Sequence, residues 1–300
     1  MKTIAILCGG GSSSEREVSL HSGRSAYEAL KPQYDTEIFE LSEDRVPEFL
    51  TPEKYIVFPL GHGEFMEDGG LQEQLELRGF NYAGSDAEVS RRCMNKLATK
   101  AIVEQLNIFT AKYLPYDGQS FDELLKFFQA PFVMKPVRKG SSVGVYKIFR
   151  PEDFEAHRPE FSKDDYFAEF CVKGKEITAG VLGGRALPLV EIRAKDGFYD
   201  YQHKYTSGMT EYLVPAPIPE EIAKLIQEQT ERIFSACGCR DFARLDYLLQ
   251  DDGTACFLEV NTIPGMTATS LIPKAAANVG IDYAQLCRKM IDFAIQRDAK

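Results

Sequence analysis

The sequence predicts an α/β fold, and three observations carry the prediction. Apolar runs of strand length alternate with helix-period runs from Thr3 to about Gly84, the pattern of a parallel sheet joined by crossover helices. Beyond Phe132 the signal changes to hairpins, in which paired apolar runs flank glycine-containing turns. The chain has 300 residues, enough for two or three subdomains with their own cores.

Composition narrows the function classes. A formal charge of -10 at pH 7 and an isoelectric point near 5.1 argue against a nucleic-acid binder, which needs a basic face for phosphate contacts. No stretch approaches the roughly 20 apolar residues of a membrane span. MKTIAILCGGG lacks the apolar region and cleavage site of a signal peptide, so a cytosolic protein is expected. Seven cysteines, an odd number without CxxC spacing, read as reduced thiols rather than a disulfide or zinc framework.

Taken in order, residues 3–8 form a β-rich run, followed by a Gly/Ser loop and a helical pattern over 15–30. Strand, glycine loop and helix make an anion cradle, because N-H groups at a helix N-terminus point outward. Gly9-x-Gly11-x-x-Ser14 also resembles a dinucleotide fingerprint with its last glycine replaced, and Glu40 would then be the ribose-binding acid. Glu15 suits either a substrate ammonium or the acidic first turn of a helix. The strand over 55–60 ends at Gly61-His62-Gly63, where open α/β sheets bind ligands; His62 there either packs the loop or contacts a ligand.

The spacing predicts one helix over 85–106, carrying Lys96 and Lys100 four apart, and a second over 121–128. Two strands, 132–135 and 145–149, flank a loop that includes Arg138, Lys139, Gly140, Ser141, Ser142 and Gly144. Such a loop either covers phosphates with its backbone N-H groups, with Lys135 on a phosphate oxygen, or is a flexible hairpin tip. A strand at 166–170, a hairpin around Gly183-Gly184 and a long aromatic loop at 198–219 follow. A loop of that length in a compact domain is usually a lid. Helices are expected at 220–237, 269–279 and 283–297.

Between the first two of these helices lies the stretch with the most chemistry. Residues 241–250 and 254–261 read as a hairpin about an Asp252-Gly253 turn. That register places Asp246 opposite Glu259 and Arg244 opposite Asn261, all four on one face. Facing carboxylates about 5 Å apart destabilise a sheet unless a cation lies between them. Carboxylate and amide oxygens without imidazole or thiolate suit Mg²⁺ or Mn²⁺ with substrate phosphates.

Together these stretches resemble the D-alanine:D-alanine ligases of the ATP-grasp superfamily, over essentially the whole chain. The resemblance lies in GGGSSSEREVSLHSG, GHGEFMEDGGLQ, KPVRKGSSVGV, YDYQHKY, RLDYLLQDDG and FLEVNTIPGMTATSL, in family order. It implies three α/β subdomains, 1–84 (a Rossmann-like parallel sheet), 85–168 and 169–300, with ATP gripped between the last two. It implies ligation of two D-alanines through an acyl phosphate, ADP and phosphate leaving, to serve peptidoglycan precursor synthesis. A homodimer is implied as well.

The site residues follow from the same resemblance. Asp246, Glu259 and Asn261 would hold two Mg²⁺ ions, and Lys96, Lys135 and the Ser142 loop would contact the phosphates of ATP. Glu169 and Glu176 match positions at the adenine amine and the ribose. Phe170 departs from the family's frequent lysine, so apolar contact would replace a polar one there. Arg244 and a backbone N-H near Gly265 would stabilise the oxyanion. Glu15 would bind the first alanine's ammonium, while Ser270, the Leu271 N-H and Lys204 would hold the second alanine's carboxylate. His62 is a further candidate substrate contact. Ser141 and Tyr205 would link with Glu15 to close the site, and Tyr205 would favour an amine over D-lactate as acceptor.

Overall fold

A computed structural model describes residues 2–10, 15–194 and 210–299. The first sheet is parallel, with β1 (Thr3–Gly9) between β2 (Thr36–Leu41) and β3 (Tyr55–Pro59). Every residue of β1 is buried, which is why the run TIAILC is apolar without alternation. The crossover from β1 to β2 is α1 (Arg16–Leu30). Two short helices, α2 (Glu64–Glu67) and α3 (Gly70–Leu77), follow β3. Glu40, the acid of a dinucleotide reading, is tied to Arg16 in an ion pair.

The single helix predicted over 85–106 is two. α4 (Ala87–Met94) and α5 (Lys96–Gln105) meet at Asn95, whose ψ of 101° is extended. Asp86 caps α4, accepting from Val89 N, and Asn95 caps α5, accepting from Ala98 N. An asparagine side chain that satisfies a first-turn N-H competes with continued helix, so the break is local chemistry. Its consequence is positional: Lys96 becomes the first residue of α5, with its N-H bonded to Val137 O.

The second sheet is antiparallel. It contains β4 (Tyr113–Pro115), β5 (Phe132–Pro136), β6 (Tyr146–Ile148) and β7 (Tyr166–Phe170) in the order β4-β7-β5-β6, with α6 (Phe121–Leu124) and α7 (Pro151–His157) in its connections. Phe121, Phe132, Phe154 and Phe161 build its core.

The third sheet comprises β8 (Lys175–Leu182), β9 (Arg185–Ala186), β10 (Val190–Ala194), β11 (Thr210–Leu213), β12 (Phe242–Leu249) and β13 (Ala255–Asn261). Its order is β11-β10-β8-β12-β13, with β9 on β8. Gly183 and Gly184, at φ 59° and 79°, form the turn from β8 to β9, a backbone that side chains resist. Residues 210–213 of the predicted 198–219 loop are strand β11, and 214–219 stay irregular; residues 198–209 lie outside the described regions. Helices α8 (Glu220–Ala236), α9 (Leu271–Asn278) and α10 (Tyr283–Asp298) complete the chain.

The cores cross sequence order. Val89, Cys93 and Val103 of α4 and α5 pack with α8 and the third sheet, whereas Met290 and Ile291 of α10 pack with Ile4 and Phe58 of the first. Buried Asp241 joins these regions, accepting two bonds from Arg297 at 2.6 and 2.8 Å and one from Gly84 N at 2.8 Å. Among the described residues no helix is long and apolar enough to cross a membrane.

Candidate functional site

The β12-β13 hairpin has the predicted pairing for a different reason. Near the turn the partners are Leu249 with Ala255 and Tyr247 with Phe257, and Gln250 N bonds to Thr254 O. The loop therefore holds three residues, Asp251 to Gly253, with Gly253 at φ 86°. Left alone, that extra residue would shift the register by one and turn the carboxylates away from each other. A bulge at Leu258, between the Asp246 and Tyr247 pairings, restores it: Asp246 faces Glu259 and Arg244 faces Asn261.

Protein cations already sit beside both carboxylates. Arg244 clamps Asp246 through Nε at 3.0 Å and a terminal nitrogen at 3.0 Å, and Thr178 Oγ1 on β8 donates to Asp246 Oδ1 at 2.5 Å. Lys96 Nζ lies 3.3 Å from Glu259 Oε2 and bonds to Lys139 O at 2.6 Å. Among the described residues no three His, Cys, Asp or Glu side chains form a metal-binding group. The remaining donor set, two carboxylates and the Asn261 amide on one sheet face, is all oxygen and fits a hard divalent cation.

Every expected site residue within the described regions lines one cleft of about 1330 Å³. Lys204 and Tyr205 lie outside those regions. The floor belongs to the third sheet and to the segment after β13: Glu176, Arg244, Asp246, Glu259, Asn261, Gly265, Ser270 and Leu271. Lys135 and Glu169 come from neighbouring strands of the second sheet, offset by two residues and so diagonal on one face, with Lys135 opposite Phe167 and Val133 opposite Glu169. The 138–144 loop hangs over the cleft, with Ser141 and Ser142 both left-handed at φ 51° and 59°. Two consecutive non-glycine residues in that region carry strain of the kind that clusters at ligand clamps. Ser141 Oγ donates to Glu15, so the loop touches the N-terminal layer; the Tyr205 part of the expected link lies outside the described residues.

Helix α1 builds the opposite wall through two buried serines, Ser19 and Ser22, three apart on one face. Ser19 Oγ accepts from His62 N at 2.7 Å and Ser22 Oγ from Met266 N at 3.1 Å. Two loops from different sheets are thereby held side by side. A side chain at Gly265 would begin 3.2 Å from Ser270 Oγ and 4.0 Å from His62 Nε2, so the backbone there lies open to a bound molecule. Ser270 stands at the N-cap position of α9 without a side-chain cap bond; its Oγ instead accepts from Thr267 N at 3.0 Å, and the Leu271 N-H lies in the helix's first turn.

Electrostatics mark two buried pairs. His62 Nδ1 and Glu67 Oε1 are 2.6 Å apart. Burial favours the neutral imidazole, but Glu67 outweighs it and holds His62 above its ordinary 6.5. Burial also pushes the Glu67 carboxyl up, against the pull of His62. Among the described residues His62 Nε2 is buried without a hydrogen-bond partner, a polar atom on the cleft lining that water or a ligand can satisfy. Glu169 accepts from Lys135, and Lys100 Nζ lies 2.8 Å from its other oxygen in an ion pair. Burial raises Glu169, yet the two ammoniums hold it below its ordinary 4.5. Burial lowers Lys135, and Glu169 reverses that shift.

The sequence alone assigns no roles to Ser19, Ser22, Glu67, Lys100 or Thr178. Glu67 stood five residues after His62 and Lys100 four after Lys96, spacing that marks proximity without naming partners. Thr178 carries no local signal, since only strand pairing brings it beside Asp246.

Known proteins resemble this chain along nearly its full length. The family profile described as "D-ala D-ala ligase C-terminus" matches residues 101–292. The D-alanine--D-alanine ligase of Syntrophotalea carbinolica is 40% identical over 99% of this chain and 97% of its own length. That of Methylacidiphilum infernorum is 37% identical over 98% and 96%. Among solved structures, a Bacillus anthracis D-alanine--D-alanine ligase complexed with ATP superposes with a TM-score of 0.82 at 30% identity, over 98% of this chain and 97% of the other. The VanG D-Ala:D-Ser ligase of Enterococcus faecalis superposes with 0.81 at 29% identity, over 98% and 99%. With an ATP-grasp fold and that coverage along its whole length, the chain belongs to the D-alanine--D-alanine ligase family.

Proposed function

We propose that this protein joins two D-alanines at the expense of ATP, through a D-alanyl phosphate, releasing ADP and phosphate to supply peptidoglycan precursors. One observation carries the reading: the face bearing Arg244, Asp246, Glu259 and Asn261 shares a cleft with Lys96, Lys135, Glu15, His62 and Ser270. A carboxylate is a poor electrophile, and phosphorylation gives it a leaving group; catalysis of that transfer is positioning and charge neutralisation.

Lys96, Lys135 and the backbone around Ser142 hold the phosphates, with Glu169 and Glu176 at the nucleoside end. Glu15 takes the first alanine's ammonium. Ser270, the Leu271 N-H and Lys204 take the second alanine's carboxylate, and Ser141 with Tyr205 closes the site against Glu15. Arg244 and the N-H near Gly265 stabilise the oxyanion of the tetrahedral intermediate. Asp246, Glu259 and Asn261 would hold Mg²⁺ or Mn²⁺, two ions in all, which neutralise phosphate charge when bound. The working partition is three subdomains, 1–84, 85–168 and 169–300, in a cytosolic homodimer acting on small molecules.

The test is phosphate release from ATP and Mg²⁺ with D-alanine, L-alanine, or D-alanine plus D-lactate or D-serine, with products identified by mass. Release only with D-alanine, and the dipeptide mass, supports the reading. Preference for D-serine as acceptor would move the protein toward the activity named for its Enterococcus neighbour.

A further inference from the structure

Lys100 is the most buried lysine of the cleft, 1% exposed on the inner face of α5. Its ammonium bonds to Thr110 Oγ1 at 2.7 Å and Ala111 O at 3.4 Å, and lies 2.8 Å from Glu169 Oε2. Thr110 in turn donates to Phe257 O at 3.0 Å, so Lys100 is anchored to β13 as well. Glu169, itself 2% exposed, therefore stands between two ammoniums, Lys100 behind it and Lys135 before it.

The charges of this group do not cancel. Two lysines and one glutamate leave one net positive charge, in surroundings where Coulomb energies are many times those in water. The ammonium that can express that charge is Lys135, whose side chain is 18% exposed to the cleft against 1% for Lys100. Without Lys100, Glu169 would be the full counter-ion of Lys135 and would hold it back from an incoming anion. We propose that Lys100 is a positioning residue for nucleotide binding, which shares the charge of Glu169 so that Lys135 presents a net positive charge to the polyphosphate. With its ammonium held by Thr110, Ala111 and Glu169, Lys100 acts through Lys135 rather than on the polyphosphate itself. The inference rests on the proposed reading of Lys135 as a phosphate contact.

Inorganic tripolyphosphate tests it without the adenine end of the site. Its binding, and that of ATP, is measured by calorimetry for the wild type, Lys100→Met and Lys100→Met/Glu169→Gln, with circular dichroism to confirm folding. Lys100→Met should weaken tripolyphosphate binding by about tenfold or more and raise KM for ATP while kcat at saturation changes little. The double variant, with Lys100 and Glu169 both neutral and only the more distant Glu259 acting on Lys135 as in the wild type, should regain tripolyphosphate binding. A merely structural role would give no such rescue. Lys100→Met binding like the wild type overturns the inference alone, as does equal loss in the single and double variants. A wild type that binds neither ATP nor tripolyphosphate overturns the nucleotide reading and the inference with it.

Discussion

Replacing Ser19 and Ser22 by alanine tests how the cleft is assembled. Both side chains are fully buried, and each accepts one N-H from a site loop, that of His62 at 2.7 Å and that of Met266 at 3.1 Å. Alanine removes the acceptor and leaves a buried backbone donor unpaired, at a cost of about 1–3 kcal/mol each. For a chain of this length the unfolding entropy near 60 °C is about 0.6 kcal/mol/K, so each single variant should lower Tm by about 2–5 °C. Scanning calorimetry measures this, with exposed Ser162→Ala as a control expected to change stability by less than about 0.5 kcal/mol. Steady-state kinetics should show a raised KM for D-alanine, because the loops carrying His62 and Gly265 lose their shared support. Unchanged Tm and KM in Ser19→Ala and Ser22→Ala would refute the argument that α1 holds these loops.

Three further outcomes are expected. Glu259→Gln should lower kcat by on the order of 10²-fold or more, as the loss of a charge-stabilising group at a transition state does, with an unchanged far-UV spectrum; turnover near wild type would remove Glu259 from the metal assignment. Tyr205→Phe should raise the ratio of depsipeptide to dipeptide formed from mixed D-lactate and D-alanine, and an unchanged ratio would take Tyr205 out of acceptor choice. Glu169 has a depressed carboxyl, so its ion pairs contribute stability that is complete above the ordinary value of 4.5 and is lost as pH falls through the lower folded value. The Tm gap between wild type and Glu169→Gln should therefore be widest near neutrality and close in acid; a gap constant from neutral to strongly acidic pH would contradict the buried ion pairs.

Much of this protein is written locally. Alternation of apolar runs announced the parallel layer, because a strand buried on both faces has no polar positions to spare. The glycine pair 183–184 announced its hairpin, because few other residues adopt two positive φ values in succession. The motif order from GGGSSSEREVSLHSG to FLEVNTIPGMTATSL identified the family and named residues that the fold gathers in one cleft.

What the sequence could not decide depends on partners far away along the chain. A two-residue turn read from the sequence makes Asp246 face Glu259, whereas in the structure a three-residue turn and a compensating bulge produce that facing. A bulge leaves no composition signal, since its cause is the fit of one strand against its neighbour. The cations beside those carboxylates are likewise tertiary: Arg244 lies on the same strand, but Lys96 reaches Glu259 only because Asn95 breaks a helix and α5 packs against β13. Ser19, Ser22, Thr178 and Lys100 look in sequence like ordinary helix and strand residues. Sequence by itself determined which chemistry-bearing residues this chain possesses; the tertiary structure decided which charges meet, because a buried polar group takes its meaning from the partner that satisfies it.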